Sequence, residues 1–240
     1  MRGSAHPTRA PGHEVHRPAP GLGTSRGVPV FKAAMDPRPA IRVFLLSPAS
    51  LSGVRGRRLL DGGSGAPFAG ALADGGAPIG DVYEFVSSLY FRGKRAYAEA
   101  FARPPAGSPG ALVITSALGL VPLDRPVTAG SLAELASVAI DPGEPRYVEP
   151  LLEGARALAE RLGPSGRAVL LGSLASPRYV EPLLGVLGRR LMVPEAFVGR
   201  GDMSRGGLML RAVDAGEELT YVVAADAERT GKRPPRLEPR

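Results

Sequence analysis

Three short apolar runs, set apart by helix-length stretches, constrain the fold of this chain most. They are residues 41–46 (IRVFLL), 111–115 (ALVIT) and 168–171 (AVLL). Each is too short for a stable helix and is apolar at successive positions. That pattern marks a strand buried on both faces, the kind found in sheets covered by helices on both sides. Between the runs, Val82, Phe85, Val86, Leu89 and Tyr90 recur at helical spacing after Asp81, a good N-cap. Tyr97 and Phe101 continue the pattern, with Gly93 as the point where the helix divides. A short helix is expected over 131–139 and a strongly amphipathic one over 148–162, stopped by Gly163-Pro164. Ser176-Pro177 opens another, and Pro182 argues that it starts later. Residues 208–213 and 219–223 alternate like a hairpin across Asp214-Ala215-Gly216. The order predicts an α/β domain over 39–225: a mixed β-sheet flanked by helices, with a C-terminal β-hairpin. Residues 1–38 and 226–240, rich in proline and arginine, are expected to be disordered basic tails. Met35, six residues before the first run, is an alternative start.

Residue content excludes whole classes of chemistry. The chain has no cysteine, so disulfides, thiolate metal sites and a cysteine nucleophile are out. Its three histidines, His6, His13 and His16, all precede the expected domain. A serine–histidine triad or a histidine metal site is therefore not expected there. No metal and no cofactor is expected. Acid–base work falls to Asp, Glu, Lys or Tyr. No apolar run reaches membrane-spanning length, so no membrane span is expected. The net charge of +7 sits mostly at the ends: residues 41–225 hold 19 basic and 18 acidic side chains. Basic ends attract nucleic acid or anionic surfaces non-specifically. Arginine outnumbers lysine 27 to 3, a compositional bias that makes each lysine the more informative residue.

Three segments follow the expected strands: Ser47-Pro48-Ala49-Ser50, Ser116-Ala117-Leu118-Gly119 and Gly172-Ser173-Leu174-Ala175-Ser176. Ligands of open α/β sheets bind where strands end and helices begin. Hydroxyls there, Ser47 and Ser176 in particular, suit a phosphate, a sugar or a base edge, with helix capping as the competing role. Residues 199–207 read GRGDMSRGG. In this expected loop the glycines allow close backbone approach, and Arg200 and Arg205 offer planar forks to phosphate. Ser204 adds a hydroxyl, and Asp202 is the candidate catalytic acid–base group. A surface Asp–Arg pair is the alternative. Arg92 and Lys94, around Gly93, read as a solvated helix face or, as the alternative, as candidate phosphate contacts that would position nucleic acid without reading bases. An identical octapeptide, PRYVEPLL, occurs at 145–152 and 177–184. Two copies make no solenoid, so two similar helix starts are expected, with a duplicated binding element as the alternative.

Four of these segments together resemble the YaaA family of bacterial peroxide-stress proteins. Leu45-Leu46-Ser47-Pro48-Ala49-Ser50 is similar to its first strand, which ends in Ser-Pro-Ala-Lys; Ser50 stands where the family has lysine. Leu118-Gly119-Leu120-Val121-Pro122-Leu123-Asp124-Arg125-Pro126 resembles its middle run. Leu174-Ala175-Ser176-Pro177-Arg178-Tyr179 and Ser204-Arg205-Gly206-Gly207-Leu208-Met209 resemble its later motifs. The resemblance implies a cytoplasmic α/β protein that binds nucleic acid, DNA in particular, and limits oxidative DNA damage. The residues alone leave a second possibility open: an enzyme acting on a nucleobase or nucleotide through an Arg/Asp/Ser pocket at the strand ends.

Overall fold

The first apolar run forms β1 (Arg42–Leu46), at the centre of a six-stranded sheet. The structure is a computed structural model and describes residues 41–62 and 65–237. β1 pairs in parallel with β3 (Ala111–Ile114) on one side and β6 (Arg167–Leu171) on the other. Beyond β6 lies β7 (Leu191–Pro194), also parallel. Antiparallel strands close both edges, β4 (Leu120–Pro122) beside β3 and β8 (Tyr221–Val223) beside β7. The chain builds outward from β1 to β3 and then crosses back to β6, so β1 is where the strand order reverses. A crevice opens at the strand ends at such a point. A small second sheet pairs β2 (Ala77–Pro78) with β5 (Pro126–Val127).

Successive β1 side chains feed two cores. Phe44 and Leu46 join one apolar cluster, and Val43 and Leu45 join the other. All four are fully buried, as the unbroken apolar run requires. The Phe44 face is covered by α3 (Ile79–Ser87), α4 (Leu89–Phe101) and α8 (Asp202–Ala215). The Val43 face is covered by α6 (Pro145–Leu162) and α7 (Pro177–Leu187). Short helices α1 (Val54–Leu60), α2 (Ala69–Ala73) and α5 (Ala129–Ser137) fill the connections. The mixed sheet flanked by helices matches the expectation, and an antiparallel strand pair closes it at the C-terminal end.

The first arm of that pair is not where the alternation placed it. Residues 208–213 belong to α8, and β8 pairs instead with β7. Arg205, Met209 and Ala212 recur at helical spacing and, with Gly206 and Leu210, are the buried positions of α8. Likewise, only 199–201 of the expected glycine-rich loop is loop; Asp202 opens the helix. The long helix divides at Ser88, not Gly93. Ser88 has φ 49°, where a side chain is strained, and α4 runs unbroken through Gly93. α7 begins at Pro177 with Pro182 inside it. The carbonyl that Pro182 cannot serve, that of Arg178, accepts instead from the Tyr147 hydroxyl at 2.9 Å. Both octapeptide copies thus start helices, and one supplies the bond the other lacks.

The expected tail at 1–38 lies outside the described residues. Residues 226–237 form no helix or strand, but they are not loose. Asp226 takes a two-pronged bond from Arg189 at 2.8–2.9 Å, Arg229 pairs with Glu181, and the Lys232 carbonyl lies against Gly199. Among the described residues no helix is long and apolar enough to cross a membrane.

Candidate functional site

A cavity of about 420 Å³ opens at the C-terminal ends of β1, β3 and β6. Each of these strands delivers one serine to its wall: Ser47, Ser116 and Ser173. Three rings, Tyr83, Tyr90 and Tyr179, also line it, with Arg178 and Asp202. The size falls in the range of ligand sites, and so does the mix of aromatic surface with a few polar groups.

Behind the wall sits Lys94, with no exposed surface. Its ammonium donates to the Ser47 carbonyl at 2.6 Å and to the Ser47 hydroxyl at 3.0 Å. It lies 4.1 Å from the centre of the Tyr90 ring and 5.0 Å from that of Phe91. The Ser47 hydroxyl in turn donates to the Leu171 carbonyl at 3.3 Å. Burial pushes the Lys94 amine down from 10.5 to about 7. The Asp202 charge opposes that change and the Arg205 charge adds to it.

Two glycines make this placement possible. At the crossing of α4 and α8, a Cβ on Gly93 would lie 2.7 Å from the Gly206 carbonyl oxygen. One on Gly206 would lie 2.9 Å from the Tyr90 Cα. The two backbones therefore touch, which brings Lys94 of α4 beside Arg205 and Asp202 of α8.

Arg205 is nine-tenths buried. Its Nε and Nη2 both donate to the Phe197 carbonyl at 3.3 Å, and Nη1 meets Asp202 at 3.2 Å. The guanidinium also lies 5.7 Å from the centre of the Phe197 ring. Its fork is thus engaged within the protein and steadies Asp202 at the first turn of α8, whose dipole favours a carboxylate there. The Tyr90 hydroxyl is different. It is buried yet has no hydrogen-bond partner. Burial pushes it up to about 12, and the Asp202 charge adds to that. Arg205 and Ser47 lie close enough to oppose the change, but neither meets the hydroxyl in bonding geometry. An unpaired buried hydroxyl on a residue that lines a cavity is a rare feature in a folded protein.

Of the residues singled out in the sequence, Ser47, Lys94, Asp202 and Arg205 come together here. Ser176 does not line the cavity; its neighbours Ser173 and Tyr179 do. Arg92, Arg200 and Ser204 line a second groove of about 500 Å³, with Arg211, Arg233 and Arg236. Arg200 donates to Ser204 at 3.2 Å and to the Ala196 carbonyl at 3.0 Å. Among the described residues no carboxylate lines this groove. A shallow hollow joins the two sites: it shares Ser173 and Asp202 with the cavity, and Arg200, Ser204 and Arg233 with the groove. Tyr90 is the residue that sequence reasoning missed. Its helical spacing with Val82, Phe85, Val86 and Leu89 does not distinguish a ring in the core from one on a cavity wall. Among the described residues no three His, Cys, Asp or Glu side chains are grouped to hold a metal ion. No protein-family model, curated protein or solved structure matches the chain.

Proposed function

We propose that the protein binds nucleic acid, DNA in particular, by laying the phosphodiester backbone along the arginine groove. The observation that carries this reading is the groove itself: Arg92, Arg200, Arg211, Arg233 and Arg236, with no carboxylate among its described lining residues. Such a lining attracts a polyanion and releases its counterions. The joining hollow leads from this track to the strand-end cavity, where the half-buried Tyr179 ring offers stacking surface to one extruded base. A role in limiting oxidative DNA damage rests on the resemblance of the four segments to the YaaA family.

The test is a titration of the full chain with duplex and bubble DNA at two salt concentrations. Affinity should fall steeply with salt. Arg200→Ala and Arg233→Ala should each weaken binding across sequences and reduce the salt slope by about 1. Binding that ignores both salt and these variants would overturn the reading.

A second reading is favoured by the cavity. Its wall holds a serine bonded to a buried lysine and an unpartnered tyrosine hydroxyl. These suit turnover of a nucleobase or nucleotide, with Asp202 at the mouth as acid–base group. A thermal-shift screen of nucleosides and nucleotides tests it. Stabilisation by a nucleoside that disappears in Asp202→Asn and Tyr90→Phe would support it. No response from any of them would exclude it.

A further inference from the structure

We propose that the strand-end cavity is an acyl-transfer site acting on a small carboxylic ester, with Ser47 as nucleophile, Lys94 as its general base and Tyr90 as oxyanion donor. This proposal does not depend on nucleic-acid binding in the groove.

A serine hydroxyl is a weak nucleophile until a base takes its proton, and lysine serves as that base on several unrelated folds. Lys94 Nζ stands 3.0 Å from Ser47 Oγ, within reach for transfer. Neither of its hydrogen bonds goes to a carboxylate that would hold it charged. The charged groups nearest to it are Asp202 and Arg205, both on α8, and they act in opposite directions. Burial dominates and favours the free amine near neutral pH. Lys94 is wholly enclosed and absent from the cavity wall. It can reach a substrate only through Ser47, which makes it a base and not the nucleophile.

Tyr90 supplies the third part. Tyr90 lines the same wall, and its enclosed hydroxyl has no partner and stays protonated at working pH. A preorganised donor of this kind stabilises an oxyanion where charge develops. The class of substrate follows from what is missing. Phosphoryl transfer needs several cations around the reacting group. Here Arg205 is engaged by Phe197 and Asp202, and Arg178, on the wall, is exposed. One neutral donor suits the single oxyanion of an ester carbonyl.

The step balances without a further reactant. The Ser47 proton passes to Lys94 as Oγ bonds the carbonyl carbon, and the π pair moves onto the carbonyl oxygen, which Tyr90 holds. The C–O bond to the alcohol then breaks, and the leaving oxygen takes its proton from water. The hydroxide so formed attacks the acyl carbon, the bond from that carbon to Ser47 breaks, and Oγ takes its proton back from Lys94, which releases the acid and restores Ser47.

The test uses the full chain, a tagged fluorophosphonate and p-nitrophenyl acetate, with peptide mapping of each adduct. Both probes should modify the peptide that contains Ser47. Ser47→Ala should abolish both adducts, and Tyr90→Phe should slow acetylation at least tenfold. Lys94→Met and Lys94→Arg should each slow labelling about 100-fold, since arginine keeps the cation but supplies no base. Circular dichroism establishes that each variant is folded. Labelling of the parent chain should rise with pH around neutrality. A folded parent chain that gives no Ser47 adduct overturns the proposal whatever the variants do. Labelling of Lys94→Arg at the parent rate would make Lys94 a structural cation and overturn it equally.

Discussion

Gly93 and Gly206 face each other across two helices at backbone contact, with no room for a methyl group on either. Their contact sets how close α4 comes to α8, and with it the distance between Lys94 on one and Arg205 and Asp202 on the other. Gly206→Ala would place a Cβ 2.8 Å from the Leu89 carbonyl oxygen, so the helices must part. The expected loss is about 1–3 kcal/mol. For a chain of this length that is a fall in melting temperature of about 2–4 °C per kcal/mol. A melting temperature unchanged within error would refute the packing described here.

Lys94 makes stability depend on pH in a definite direction. Its folded pKa, about 7, lies below the ordinary 10.5. Between these values unfolding takes up a proton, so stability should rise with pH, by up to about 1.4 kcal/mol per unit. Urea unfolding from about pH 7 to pH 9 samples this window. It stays below the range where the buried Tyr83, Tyr90 and Tyr147, all pushed upward, act in the opposite sense. Lys94→Met should remove the slope. An identical slope in the variant would show that another group causes it.

Tyr147 and Pro182 form a testable pair. The Tyr147 hydroxyl serves the Arg178 carbonyl, which Pro182 leaves without its helical partner. Tyr147→Phe should cost about 1–3 kcal/mol, the cost of a buried carbonyl left unpaired. In a Pro182→Ala background the restored N–H can serve that carbonyl, so the same change should cost less. The double-mutant cycle measures the difference. Strict additivity would mean the two residues do not share that carbonyl.

Glu218 gathers the edge of the sheet. It takes bonds from Arg42 at 2.6–2.8 Å and from the Tyr221 hydroxyl at 2.7 Å. Tyr221 meets Tyr97, which accepts from the Leu219 N–H at 2.8 Å. Arg42 is largely buried and its Nε already lacks a partner. Glu218→Ala would leave that cation uncompensated, at an expected cost of about 3 kcal/mol. Chemical denaturation would register the loss as a lower midpoint with an unchanged slope. A midpoint equal to that of the parent would show the pair to be energetically idle.

Much of this protein is written in local pattern. The three apolar runs determine β1, β3 and β6, because a strand buried on both faces must be apolar at every position. The serines after them mark the cavity edge for the same local reason: they sit where the strands stop. Helix spacing placed α6 and most of α3 and α4. Other features depend on contacts between residues far apart in the chain. α8 carries two glycines in its first turns and follows a loop with two more, a poor helix by propensity, yet it forms because Met209 and Ala212 are buried and Gly206 lets it meet α4. α7 tolerates Pro182 because a tyrosine 35 residues earlier reaches its free carbonyl, a bond no local pattern records. Lys94 reads in sequence as one charge in a basic cluster beside a glycine. Only the packing of α4 under β1 strips it of water and bonds it to Ser47, and desolvation of that kind is a property of the assembled core.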